Sequence, residues 1–239
     1  MELKEFSSKF YELAERCNLK LNDDMIYKFY EYMNLLLEWN EKINLTAITN
    51  QDEIIIKHFI DSLTVANKIK ADSYVIDIGT GAGFPGIPLK IYNETLNVTL
   101  LDSLNKRTIF LQEVVNKLNL KNIKVIHGRA EDFARDKQFR EKYDYSISRA
   151  VAPLNILVEY LVPYVKVGGK VIAMKGSNAE EEILEAKNAM NILKANLEDK
   201  EEIELPQDSG NRYILVLKKQ KVTENKYPRK AGMPKKSPL

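Results

Sequence analysis

One segment of the sequence is dense with chemical meaning: Asp77-Ile78-Gly79-Thr80-Gly81-Ala82-Gly83-Phe84-Pro85-Gly86. Glycines spaced this closely after an apolar run make a tight turn and let a ligand approach the backbone. Pro85 suits the first turn of a following helix, where its missing N–H costs nothing. Residues 81–86 fit the dinucleotide pattern GxGxxG, which taken alone is a weak sign. Asp77, at the end of the apolar run, would repel a pyrophosphate and attract a cationic ligand. S-adenosylmethionine carries both an ammonium and a sulfonium. Asp102 lies 25 residues after Asp77, where a carboxylate can accept hydrogen bonds from both ribose hydroxyls. It speaks for a nucleoside without saying which one.

Two more strand ends belong to the same crevice. Gly128-Arg129-Ala130-Glu131-Asp132 could meet an adenine edge, and Ser148-Arg149-Ala150 sets Arg149 at the mouth. The absences are equally informative. The single cysteine, Cys17, excludes an intrachain disulfide and sits in a helical segment far from the glycine turn. Methylation of a pyrimidine carbon, which needs a cysteine nucleophile, is therefore disfavoured. The slot after the fourth strand reads Ser148-Arg149-Ala150-Val151, which lacks the Asn-Pro-Pro-Tyr type elements used on exocyclic amines. Two scattered histidines, His58 and His127, suggest no zinc site.

The elements that must hold these residues follow from periodicity. Residues 73–79 (SYVIDIG), 97–102, 124–128, 143–149, 169–174 and 213–219 read as strands, with helical patterns between most of them, such as residues 106–118. Alternation of this kind implies an α/β fold with a mainly parallel, doubly wound sheet. The first 70 residues have no proline or glycine and read as helices. One of them is capped at Asn22-Asp23-Asp24 and buried over much of its circumference, and another spans about residues 52–70. The organisation expected is a helical extension (1–71) packed on a core (72–220), followed by a basic tail (221–239).

The chain of 239 residues carries a net charge of +2, unevenly distributed. From residue 218 onward eight Lys or Arg face one acid, Glu224, a net +7 that leaves −5 on the rest. A basic tail on a mildly acidic body suggests a polyanionic partner. With three prolines in its last 18 residues and no periodicity, the tail reads as irregular, or ordered only on binding. No apolar run approaches the roughly 20 residues needed to span a bilayer, and no signal peptide is visible. A cytoplasmic, monomeric protein without membrane contact is expected.

The chain resembles the bacterial 16S rRNA guanine-N7 methyltransferases, the glucose-inhibited division protein B family. The resemblance rests on residues 39–48 (WNEKINLTAI), 58–63 (HFIDSL), 77–88, Leu101-Asp102-Ser103 with Lys106-Arg107, Ser148-Arg149-Ala150, Met174-Lys175-Gly176 and 227–232 (YPRKAG). It implies a Rossmann-like class I methyltransferase fold, S-adenosylmethionine as cofactor, and 16S rRNA or the small ribosomal subunit as partner. Donor contacts are expected from Asp77, Gly79, Gly81, Gly83, Phe84, Asp102, Ser103, Ala130, Glu131 and Arg149. RNA contacts are expected from Lys106, Arg107, Arg129, Lys175, Arg212, Arg229 and Lys230. The target implied is a guanine of the decoding-site loop, and its N7 carries a lone pair and no proton, so no residue is expected to act as acid or base. Weighed against this, an NAD-dependent oxidoreductase explains the glycines and Asp102 but not Asp77 or the tail. A noncatalytic RNA-binding protein would not need an intact glycine loop.

Overall fold

The computed structural model describes residues 1–207 and 209–239. Its strands are β1 (Tyr74–Ile78), β2 (Asn97–Asp102), β3 (Ile123–His127), β4 (Tyr143–Arg149), β5 (Val165–Lys175), β6 (Ala195–Glu204) and β7 (Asn211–Lys219). They form one sheet in the order β3-β2-β1-β4-β5-β7-β6. The first five run parallel, and β7 lies antiparallel between β5 and β6. The helices are α1 (Leu3–Arg16), α2 (Asp23–Asn40), α3 (Gln51–Ile54), α4 (Asp61–Leu63), α5 (Gly86–Tyr92), α6 (Asn105–Lys117), α7 (Ala130–Phe133), α8 (Leu154–Leu161), α9 (Ala179–Glu185), α10 (Lys187–Leu193) and α11 (Met233–Lys236). This is the mainly parallel, doubly wound sheet expected from the alternation of patterns, and the Rossmann-like core that the resemblance implies.

Because successive strand side chains point to opposite faces, each strand feeds two cores. Val75, Val98, Leu100, Ile147 and Ile172 face a cluster completed by α1, α2, α5 and α6. Ile76, Ile78, Leu101, Val171 and Ala173 face the other, closed by α8 and α10. The N-terminal helices thus share a core with one sheet face. Asn22 caps α2 as expected, its side chain accepting from Met25 N at 2.8 Å. Tyr32 of α2 is fully buried, and its hydroxyl donates to the carbonyl of Ala82 in the glycine turn.

Three expectations need correction. The helix expected over residues 52–70 is broken: a π-helical turn, Ile55–Ile60, separates α3 from α4, and a 3₁₀ turn, Ala66–Lys68, follows. The widened turn costs hydrogen-bond regularity and shifts the side chains that follow it, as such turns do at functional sites. Secondly, β6 is a strand that periodicity did not reveal. Its sequence, ANLEDKEEIE, buries only Ala195, because β6 is an edge held by pairing with β7. Thirdly, the tail is docked. Arg140 donates to the carbonyls of Thr223, Glu224 and Tyr227, and Arg135 donates to that of Pro228. Guanidinium groups bonded to several carbonyls of one segment fix a chain that has no ladder of its own. Among the described residues no helix is long and apolar enough to cross a membrane.

Candidate active site

In an open α/β sheet the ligand crevice lies at the carboxyl ends of the strands, where the strand order reverses. Here that point is between β1 and β4, and two cavities open there. The first, about 460 Å³, is lined by Ile78, Gly79, Leu101, Ser103, Leu104, Gly128, Arg129, Ala130, Glu131, Val151, Tyr160, Gly232 and Lys235. Its size is within the ~300–1,000 Å³ typical of small-molecule sites. The second, about 620 Å³, is lined among others by Lys57, His58, Asp61, Arg149, Val151, Met174, Lys175, Glu182 and Arg212. Val151 belongs to both, so the cavities share a wall. A larger groove of about 750 Å³ lies at the opposite ends of the strands, among Tyr74, Asn97 and Lys166, away from every candidate residue.

The glycine turn is held from within. Gly79, Gly81 and Gly83 have φ of +68°, +63° and +101°, a region that side chains disfavour. A Cβ on Gly79 would stand 2.6 Å from Val151 Cγ2, at the junction of the cavities. Asp77 is completely buried, and its Oδ2 accepts from Thr80 Oγ1 at 2.6 Å and Gly86 N at 2.8 Å. Its Oδ1 has no partner among the described residues. Asp77 therefore braces the turn and the start of α5 from below instead of lining the crevice. Asp102 is likewise buried: its Oδ2 accepts from Gly81 N at 2.8 Å and its Oδ1 from Leu104 N at 2.9 Å.

Burial, opposed by the hydrogen bonds from Thr80 and Gly86, raises the Asp77 carboxyl from 3.8 to about 7. The folded protein holds this proton more tightly than the unfolded chain, so the resulting stability is full below about pH 4 and is lost as pH rises through about 7. Asp77→Asn keeps an acceptor for Thr80 and Gly86 and cannot ionise. We expect its melting temperature, measured against the parent's, to improve steadily from about pH 5 to 7 and to level off above that. A constant difference would show that Asp77 does not titrate there.

The second cavity is built around a carboxylate that sequence reasoning passed over. Asp61 is 2% exposed. Its Oδ2 accepts from Arg149 Nη1 at 2.7 Å, and Arg212 Nε stands 3.2 Å from its Oδ1, off the line of a hydrogen bond. Arg149 also donates to the carbonyl of Lys57 at 3.1 Å, lies 3.4 Å from His58 Nδ1 and covers the Phe84 ring at 4.9 Å. The π-helical turn brings Lys57, His58 and Asp61 together here. A polar pair in an otherwise apolar helix was the available signal. Burial first, and then the charge of Arg149, push the His58 imidazole down to about 4. His58 is therefore neutral at physiological pH. The single-turnover rate should then vary less than about twofold between about pH 6.5 and 8.5; a steep limb there that persists in Asp77→Asn would expose a titrating catalytic group.

Of the residues expected to contact a donor, Gly79, Ser103, Ala130 and Glu131 line the first cavity. Asp77, Gly81, Gly83 and Asp102 shape it from behind. Phe84 is buried in an aromatic stack, 4.5 Å from His58 and 5.5 Å from Tyr32, and Arg149 faces the second cavity. Of the cations expected to contact RNA, Lys106 and Lys230 are exposed, and Arg129 is exposed at the rim of the first cavity. The others are already engaged by partners within the chain. Arg229 is bidentate on the fully buried Glu159, with its Nη2 2.6 Å from Oε2. Lys175 is buried between the Ala152 carbonyl and Glu182, each at 2.6 Å. Arg107 turns inward, 3.5 Å from Asp102, and Arg212 is drawn to Asp61. Among the described residues no cluster of His, Cys, Asp or Glu is placed to hold a metal ion.

Comparison with known proteins agrees with this geometry. The family model described as rRNA small subunit methyltransferase G (GidB) matches residues 25–219. The chain is 52% identical over 233 residues to the ribosomal RNA small subunit methyltransferase G of Streptococcus pneumoniae serotype 19F (strain G54), covering 96% of this chain and 98% of the relative. It is 52% identical over 229 residues to the protein of that name from Acetivibrio thermocellus, covering 95% and 94%. Among solved structures it resembles in fold a SAM dependent methyltransferase from Aquifex aeolicus, with a TM-score of 0.54 at 19% identity, covering 76% of this chain and 97% of that one.

Proposed function

Since the chain belongs to the GidB family of rRNA small subunit methyltransferase G proteins, we propose that it transfers a methyl group from S-adenosylmethionine to N7 of a guanine in the decoding-site loop of 16S rRNA. The observation that carries this reading is the shared wall at Val151: a nucleoside-sized crevice and a second, cation-lined cavity meet at the carboxyl ends of β1 and β4. The crevice suits the donor. Gly79 offers bare backbone, Ser103 and Glu131 offer polar groups, and Asp77 and Asp102 hold the turn in shape. When bound, S-adenosylmethionine supplies an electrophilic methyl group on a sulfonium.

The chain's own residues have little proton chemistry to do. The lone pair of guanine N7 lies in the ring plane and carries no proton, so no base is required. Orientation and exclusion of water remain, and effective molarity can supply much of the acceleration. A bare cation beside the purine would oppose the charge that builds on it during transfer. Arg149 is neutralised by Asp61, and Lys175 by Glu182, which suits a cavity that must hold guanine and its phosphates without opposing alkylation. Neutral His58 fits the same requirement.

N7 faces the deep, narrow groove of A-form RNA, beyond the reach of side chains. The substrate is accordingly a loop of the small-subunit RNA, free or within an assembling particle, and the enzyme works as a cytoplasmic single chain. The test is methyl transfer from labelled S-adenosylmethionine to small-subunit RNA, free and in particles, with NAD binding measured alongside. Label in the RNA and no NAD binding is the expected result. NAD binding without transfer would return the chain to the dehydrogenases.

A further inference from the structure

The C-terminal segment does something that a solubilising or RNA-gripping tail would not: it closes one side of the donor crevice. Gly232 and Lys235 line that cavity together with Arg129, Glu131 and Tyr160. The segment is latched at three points. Arg140 and Arg135 hold the carbonyls of Thr223, Glu224, Tyr227 and Pro228. Glu159 receives the Arg229 side chain and also its backbone N–H at 2.6 Å. Gly232, with φ of +83°, donates its N–H to Glu131 Oε1 at 2.8 Å. Two of these latches adjoin crevice walls in sequence: Glu159 precedes Tyr160, and Glu131 is itself a lining residue. Tyr227, Pro228 and Pro234 are buried by this docking, while Lys235 remains exposed beside the cavity.

Resting on the methyl-donor reading, we propose that residues 229–236 are a wall of the donor site and that Lys235 contacts the nucleoside end of the bound donor. The charges favour that end. Lys235 and Arg129 put two cations beside the Gly128–Glu131 side of the crevice, where the one lining carboxylate, Glu131, is buried and already accepts the Gly232 N–H. The ammonium and sulfonium of the donor are repelled there, whereas the ring nitrogens of adenine accept hydrogen bonds from an ammonium group. The cationic half of the donor is thereby directed towards Gly79 and Val151, the wall shared with the second cavity. The tail contributes to donor affinity and polarity, a different role from the electrostatic grip on RNA that its composition suggested.

The test is calorimetry on the full-length chain and Lys235→Ala with S-adenosylmethionine, adenosine and methionine. Fluorescence titration with small-subunit RNA at several salt concentrations completes it. The variant should bind S-adenosylmethionine and adenosine about three- to tenfold more weakly, the order of one exposed charge-assisted hydrogen bond. Methionine and RNA affinity, and the salt slope, should not change. Unchanged adenosine and donor affinity in Lys235→Ala overturns the proposal, and a loss confined to RNA returns Lys235 to the phosphates. Failure of the parent chain to bind adenosine or S-adenosylmethionine at all would remove the methyl-donor reading, and this proposal with it.

Discussion

Replacing Arg149 with alanine is expected to lower stability by about 3–5 kcal/mol, because it leaves the Asp61 carboxylate buried without its bidentate-capable partner. The Asp61 side chain is 3% exposed and that of Arg149 14%, so water cannot replace the guanidinium easily. Arg212, at 3.2 Å and poorly aligned, offers only partial compensation. Arg149 also covers the Phe84 ring and holds the Lys57 carbonyl, so its loss loosens both the π-helical turn and the end of the glycine turn. Misplacement of about 1 Å at a reacting centre can cost on the order of a hundredfold in rate, and a loss of that size in single-turnover transfer is expected. The double variant Arg149→Ala with Asp61→Asn separates the two effects. Removing the orphaned charge should restore part of the melting temperature and none of the transfer rate. Recovery of both together would mean that Arg149 matters only for folding.

The second large effect is expected at Gly86. Its N–H donates to Asp77 Oδ2, and an added Cβ would meet Leu100 Cδ2 at 2.4 Å and Asp77 Oδ2 at 2.9 Å. Leu100 is fully buried on β2, so it has no open space to turn into. Gly86→Ala should cost about 1–3 kcal/mol by overpacking, and push the start of α5 away from Asp77. The turn that forms the crevice floor is braced by this contact, so donor affinity should fall with stability. Trimming the neighbour tests the cause: Leu100→Val alone should cost about 1 kcal/mol, yet combined with Gly86→Ala it should cost less than the sum. Additive losses in the double variant would place the damage elsewhere than in this contact.

Much of the site is legible in the amino-acid sequence because its signals are local. The strand that carries Asp77 near its end, the glycines after it, and Asp102 at the end of β2 are encoded by periodicity and residue type within a few positions, and β2 and β4 begin and end where the pattern says. What stayed hidden depends on partners distant in sequence. Asp61 acquires its meaning from Arg149 and Arg212, and from a π-helical turn that no hydrophobic period announces. The same holds for the tail, whose order is created by Arg135, Arg140 and Glu159, some 70 to 93 positions earlier in the chain. Composition records that Arg229 and Lys175 are cations, but cannot tell that Glu159 and Glu182 already hold them. The edge strand β6 is invisible for a related reason: its stability comes from hydrogen bonds to β7, while its side chains remain in water.

The decisive measurement is the position of the transferred methyl group. Small-subunit RNA lacking the modification would be incubated with the enzyme and S-adenosylmethionine, then treated with borohydride and aniline, which break the chain at N7-methylguanine. A single new break at one guanine of the decoding-site loop is the predicted result. Methyl label incorporated into the RNA without any such break would contradict guanine N7 as the acceptor, and with it the view that this cavity works by positioning alone.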